Sequence, residues 1–211
     1  MDRAQGGAGM TPRAWLAAAL LLLALPCVAA AQPQDCTAML TGQGAAPRWQ
    51  AVADPSAPGG QAMTEATRLA IDERYPLCVL AAPVAADLDV SVGFRAIAGR
   101  LDRAAGIAVR LTDAATYYVV RANAAENNVR LYHVTGGRRV QFAGRDRVPV
   151  TTGTWHTLRL RVQANRFAVY LDGQHLFDAE DSRIAAPGRV ALWTKADSAT
   201  HFTAPVIQVL P

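Results

Sequence analysis

From Trp49 onward the chain alternates apolar and polar residues with a period of two, the pattern of strands that bury one face. Leu88, Val90, Val92 and Phe94 alternate with Asp89, Ser91, Gly93 and Arg95. Ile107, Val109 and Leu111 alternate with Ala108, Arg110 and Thr112. Tyr118, Val120 and Ala122 oppose Tyr117, Val119, Arg121 and Asn123, and Val129, Leu131 and His133 oppose Asn128, Arg130 and Tyr132. Two further alternating runs cover 156–162 and 167–171. Asp172-Gly173 between apolar runs predicts a two-residue hairpin, because a type I′ turn needs positive φ at both central positions. Gly136-Gly137 reads the same way, and Gly153 and Pro187-Gly188 mark other turns. No stretch carries a 3.6-residue period, so long helices are not expected; short helical turns are allowed near 62–68 and 182–185.

Short strands recurring every 8–12 residues or so, joined by Gly-, Pro- and Asn-containing turns, indicate an antiparallel all-β sandwich or barrel. One such domain is expected over 46–211, with no internal repeat and no second domain. Ahead of it, Arg13 precedes an unbroken apolar run from Ala14 to Leu25, which Pro26 ends. Small residues follow through Ala31, and Gln32 opens a polar stretch. This is the pattern of a secretory signal, with cleavage expected after Ala31 or Ala30. The apolar run is shorter than the roughly 20 residues of a membrane span. Residues 1–31 are thus read as the signal, 32–45 as a leader, and the mature protein as periplasmic or secreted.

That compartment changes the reading of the cysteines. Cys27 leaves with the signal, and Cys36 and Cys78 remain. In an oxidising compartment a remaining pair suggests a disulfide, with two buried free thiols as the alternative. The formal charge of +4 is too small to suggest a nucleic-acid partner. All but one of the 21 basic residues are arginine, the exception being Lys195; with the abundant alanine this looks like coding bias.

Several stretches carry a family resemblance: Tyr117 to Asn123, Glu126 to Tyr132, Trp155 to Arg159, Tyr170 to Gly173, and Gly188 to Ser198. Together they resemble the concanavalin A-like jelly-roll superfamily, and within it the 3-keto-disaccharide hydrolase-like domain. Laminin-G-like domains are similar too. The resemblance implies a two-sheet jelly roll whose curved face often meets carbohydrate, and in some relatives cleavage of 3-keto-glycosides. The chain departs from the hydrolase pattern after Lys195, where no Gln-x-His element or Phe-Arg-Asn run appears. It also lacks the Asp-Asp that laminin-G-like relatives carry after the Phe corresponding to Phe202, so calcium is not supported and no cofactor is expected.

If the apolar sets face the sandwich core, Arg95, Arg110, Arg121 and Arg130 lie on outer faces with Asp89, Tyr117, Asn123 and Tyr132. Guanidinium forks and tyrosine rings suit sugar hydroxyls, ring faces and carboxylates; a merely solvated outer face is the alternative. The candidate ligand-binding residues are Tyr117, Arg121, Asn123, Glu126, Asn127, Tyr132, Lys195 and Asp197. Glu126, Lys195 and Asp197 are the candidate acid–base groups should the protein be an enzyme. Lys195 and Asp197 share a face if their strand continues, which also allows a plain ion pair. Trp193, His133 and His156 are expected in the core, and the acidic run Asp178, Glu180 and Asp181 at a solvated strand end. No metal-ligand spacing, nucleophile elbow or phosphate-cradling loop is present. The expectation is a carbohydrate-recognition jelly roll that binds a glycan or sugar acid, with no membrane contact once the signal is removed. The alternatives are an enzyme on 3-keto-glycosides and a structural envelope protein.

Overall fold

The computed structural model describes residues 36–211; the expected signal and the start of the leader lie outside them. Fifteen strands run in order: β1 (Cys36–Gly42), β2 (Trp49–Ala53), β3 (Gln61–Glu65), β4 (Arg74–Leu80), β5 (Leu88–Ala98), β6 (Ala104–Asp113), β7 (Thr116–Asn123), β8 (Asn128–Thr135), β9 (Arg138–Asp146), β10 (Trp155–Gln163), β11 (Arg166–Leu171), β12 (Gln174–Glu180), β13 (Arg189–Trp193), β14 (Ala199–Phe202) and β15 (Val206–Val209). They build two antiparallel sheets. One has the order β1-β4-β13-β6-β7-β8-β9; the other runs β12-β11-β10-β5-β14-β3-β2, with β15 also paired to β5. This is the antiparallel all-β sandwich that the alternation predicts, in the two-sheet jelly-roll form that the resemblance implies.

The sets read as inward face the core between the sheets, except Leu111, which lies beyond a bulge and joins the cluster on the other face. Val90, Val92, Phe94, Ile107, Val109, Tyr118, Val120, Leu131, Leu160 and Val169 are all buried there. Asp172 and Gly173 both take positive φ (51° and 78°), as the hairpin needs. The 62–68 region holds β3 instead of a helical turn, and no helix forms at 182–185; the one helical turn described is a 3-10 turn at Pro58–Gly60. Residues 36–42 are more than a leader, since every residue of β1 pairs with β4, from Cys36 opposite Leu80 to Gly42 opposite Arg74. Cys36 and Cys78 are bonded, with Cα atoms 5.3 Å apart.

The seven-stranded sheet curls strongly. Arg139 on β9 lies 4.5 Å from the ring of Tyr75 on β4, five places away in the strand order. In a flat sheet those strands would stand about 24 Å apart. Thr41 on β1 likewise crosses to the β6–β7 hairpin, donating to the Ala114 carbonyl at 2.6 Å and accepting from the Tyr117 hydroxyl at 3.0 Å. The outer face of this sheet is therefore a hollow, and it holds a second apolar cluster that includes Tyr75, Leu77, Val79, Ala108, Tyr117, Val119, Tyr132 and Trp193. Gly106 lets it pack, because a Cβ there would meet the Val120 carbonyl at 2.7 Å and the Trp193 ring at 3.0 Å.

Arg110 corrects the outer-face expectation. A bulge breaks the β6 register after Val109, and Arg110 takes φ of 51°. Its guanidinium turns into the protein and donates to the carbonyls of Ala86, Ile184 and Ala164. Asp181 is likewise buried, accepting from the Tyr118 hydroxyl at 2.6 Å, while Asp178 and Glu180 stay exposed as expected.

Glu65 and Arg74 join β3 to β4 across the sandwich, 3.1 Å apart with side chains 1% and 0% exposed. Burial pushes the Glu65 carboxyl up, but Arg74 and the backbone N–H groups of Arg68, Thr67 and Arg48 outweigh it and hold it down at about 2. Burial also pushes Asp54 up, and hydrogen bonds from His201 and Ser56 with the charge of Arg95 bring it to about 2.

Three outcomes follow for stability. Both carboxyls sit below their unfolded values, so their contribution is complete above about pH 4.5 and fades as pH falls toward 2; melts across that range should show the loss. At neutral pH Glu65→Gln should cost about 3–5 kcal/mol by leaving Arg74 buried and unbalanced, read by urea unfolding. Cutting the disulfide by Cys36→Ser with Cys78→Ser should cost up to about 4 kcal/mol, the chain-entropy value for a loop of this size; its sequence separation is 42.

Candidate functional site

The hollow has an apolar half, sealed by Tyr75, Trp193 and Arg139, and a polar half at the far ends of β7 and β8. In register, Arg121 faces Arg130 and Asn123 faces Asn128 across these strands, and Gly106 of β6 lies beside Arg121. Strand alternation places Arg121, Asn128 and Tyr132 on the hollow side. The turn between the strands delivers Glu126. Asn123 shapes that turn by accepting from the Ala125 N–H at 2.8 Å.

Arg121 organises the cluster. It is only 4% exposed, and it donates to Asn128 Oδ1 at 3.0 Å, Glu126 Oε2 at 2.8 Å and the Tyr132 hydroxyl at 3.3 Å. Asn128 Nδ2 donates to the same Glu126 oxygen at 2.9 Å. Burial lowers the Arg121 pKa, but Tyr132 and Glu126 more than restore it. Burial raises Glu126, yet Arg121 and Asn128 hold it below the usual carboxylate range. Two groups are incompletely satisfied: Arg121 Nε is buried with no acceptor, and Glu126 is 46% exposed with both bonds on Oε2. The Tyr132 hydroxyl accepts from Arg121 and so keeps its own proton to give.

Beside this cluster, Lys195 lies between Asp72 and Asp102, 2.9 Å from the latter. Asp102 is buried and also accepts from Asn123 Nδ2 at 2.8 Å. Burial lowers the Lys195 ammonium, but the two carboxylates raise it above its ordinary value. Asp197 is not its partner. Its two oxygens accept the N–H groups of Arg100, Leu101 and Asp102 at 2.8–3.2 Å, pinning the β5–β6 loop.

The structure therefore brings together Arg121, Asn123, Glu126, Tyr132 and Lys195 from the sequence-based set, and separates three others. Tyr117 is buried under Thr41 in the apolar half, where burial pushes its phenol to about 12. Asn127 turns the other way, with φ of 51° and its side-chain oxygen accepting from Val150 N–H. Asp197 is occupied by backbone. Arg95 and Asp89 belong to the opposite sheet, held by Asp54 at 2.7 Å and by Arg159. Asn128, Asp102 and Asp72 are members that sequence reasoning missed; the alternation of β8, which sets Asn128 with Arg130 and Tyr132, is the signal for the first. Trp193 is buried as expected. His156 is a satisfied core histidine, bonded to Thr151 N–H at 2.9 Å and Asp172 at 2.7 Å. His133 is also buried, and burial lowers its pKa.

A cleft of about 590 Å³ lies elsewhere, along the β10–β12 edge between Arg161, Arg166, Asp178 and Glu180. Arg166 and Glu180 pair there in the open, and no buried polar atom without a partner lines it. The polar half of the hollow is the stronger site for that reason. Among the described residues no cluster of His, Cys, Asp and Glu suits a metal ion.

The profile of the galactocerebrosidase C-terminal lectin domain matches residues 84–209. The chain belongs to this lectin-domain family. The match spans β5 to β15 and so contains Arg121, Glu126, Asn128, Tyr132 and Lys195. No curated protein matches the sequence. Among solved structures, a carbohydrate-binding module of Bacillus subtilis, CBM66, superposes with a TM-score of 0.67 at 16% identity, over 84% of this chain and 99% of that one. A double variant of human galectin-16 superposes with a TM-score of 0.52 at 10% identity, over 63% and 94%. At these identities the likeness is one of fold, the jelly roll these proteins share.

Lys195→Met should lower stability by about 3–5 kcal/mol, because Asp102 is left charged and buried. Asp197→Ala should instead loosen one loop, and hydrogen exchange at Arg100, Leu101 and Asp102 should rise with a smaller drop in melting temperature.

Proposed function

We propose that this lectin-family jelly roll binds a glycan or sugar acid in the polar half of the hollow, as an extracytoplasmic recognition domain. The observation that carries the reading is the Arg121–Glu126–Asn128–Tyr132 cluster. It fixes one buried N–H without an acceptor, one half-exposed carboxylate and one hydroxyl proton on a rigid sheet face. A sugar hydroxyl both donates and accepts, so adjacent hydroxyls can satisfy such a set at once, and buried polar atoms without partners are costly unless something supplies them. Carbohydrate recognition in the family and in the structural neighbours supports the same assignment.

The narrower resemblance, to enzymes that cleave 3-keto-glycosides, asks acid–base work of Glu126, Lys195 and Asp197. General acid–base catalysis favours a group that titrates near the working pH. Glu126 and Asp197 are held low and Lys195 high by their partners, which favours a fixed recognition surface. The reading is therefore of a binding domain.

The test is binding of the purified mature protein to an array of neutral and acidic glycans, followed by titration of each hit with product analysis. Glu126→Ala should weaken binding about tenfold, the loss expected for a charged hydrogen bond. Its melting temperature should fall as well, because buried Arg121 loses its counter-charge, so affinities are compared well below the variant's melt. A hit that is consumed during titration would favour the enzyme, and retained affinity in Glu126→Ala would move the site elsewhere.

A further inference from the structure

We propose that the ligand of the hollow carries a carboxylate and that Arg139 is the residue that selects it. The inference rests on the carbohydrate reading above and names its ligand class. Three other cations on this side of the sheet are already matched. Arg121 pairs with Glu126 at 2.8 Å, Arg130 with Asp146 at 2.8 Å, and Lys195 with Asp72 and Asp102. Arg139 has no carboxylate within ion-pair distance among the described residues. Its guanidinium lies 4.4 Å from the ring of Tyr132, 4.5 Å from Tyr75 and 5.6 Å from Trp193. Nη1 is sealed from solvent without an acceptor.

Aromatic rings satisfy the face of a guanidinium and leave its edge unsatisfied. Stacking contributes about 0.5–2 kcal/mol, whereas a buried charged donor lacking its acceptor costs at least as much. Nη1 is closed off, so what a ligand can complete is the Nε–Nη2 edge, which a carboxylate lying in the guanidinium plane meets with two parallel bonds. Tyr75 and Trp193 are stacked 5.7 Å apart at 14°, and the ring of Tyr132 lies against both Arg139 and Arg121. Tyr132 is the link to the polar half, because Arg121 bonds its hydroxyl and sits 5.9 Å from the same ring. A sugar held by Arg121 and Glu126 would thus carry its acid group toward Arg139. Glu126 is paired with Arg121 at 2.8 Å, which balances its charge against an incoming carboxylate.

The experiment compares matched sugars by calorimetric titration: glucuronic acid with glucose, galacturonic acid with galactose, and galactose 6-sulfate as an anion without a carboxylate. The acids should bind about tenfold more tightly than their neutral partners, one charge-assisted bond's worth. That preference should shrink between about 0.05 and 0.5 M salt as the attraction is screened. Arg139→Gln should bring the acid-to-neutral ratio close to one, and Arg139→Lys should retain part of it, because a lysine keeps the charge without the planar fork. Equal or better binding of the neutral sugars by the wild type overturns the proposal, as does an undiminished acid preference in Arg139→Gln. Binding of the sulfate alone overturns the carboxylate assignment. Binding of none of the sugars overturns the carbohydrate reading as well, whereas neutral binding without acid preference leaves that reading standing. Should Arg139→Gln melt before it can be titrated, the Lys variant and the wild-type salt series decide.

Discussion

The curl of the seven-stranded sheet is the constraint on which the rest of the molecule depends. A sheet in a sandwich normally buries one face and solvates the other. Here the diagonal corners come together, Thr41 meeting Tyr117 and Arg139 meeting Tyr75, and the second face becomes a small core of its own. Burying a Tyr or Trp removes about 150–250 Å² from water, so Tyr117 and Trp193 give the hollow a driving force of its own. β7 carries both loads, with Tyr118 and Val120 on one side and Tyr117 and Val119 on the other.

The site occupies what the curl leaves open. Apolar packing fills one half and fixes the sheet, and the polar half inherits that rigidity. Arg121 is held by three acceptors from one neighbouring strand and a turn, and Lys195 by two carboxylates from two loops. None of these groups needs to move or to change protonation when a ligand arrives. That suits recognition, in which preorganised donors and acceptors spare the cost of ordering them on binding.

The sandwich was legible because period-two alternation and paired positive-φ turn residues are local. The hollow was not, because it comes from contacts between residues far apart in sequence. Reading Tyr117, Val119 and Arg121 as an outer face followed from alternation alone. The unbroken run Tyr117-Tyr118-Val119-Val120 is the cue that was available, since a strand covered on both faces reads as continuously apolar. Arg110 escaped because a single bulge reverses every side chain beyond it. Lys195 and Asp197 do not pair as strand continuation would have allowed: Ala196 takes φ of 52°, so the strand does not continue through them. Asp72 and Asp102, the true partners, sit in loops that no local pattern connects to Lys195. The disulfide was legible from compartment and count, while the strand around Cys36 was too short and too mixed to be read.

That first strand has a consequence for the integrity of the sheet. β1 is an edge strand, and peeling it away would bare the backbone donors and acceptors of β4, a template onto which the same segment of another copy could add. Exchange of an end segment between copies is a low-cost route to tangled dimers. The bond from Cys36 to Cys78 joins β1 to the neighbour it pairs with, so the segment cannot leave to be traded. The covalent link acts as a guard on self-association as much as a source of stability, and it keeps each copy's curled sheet closed on its own chain.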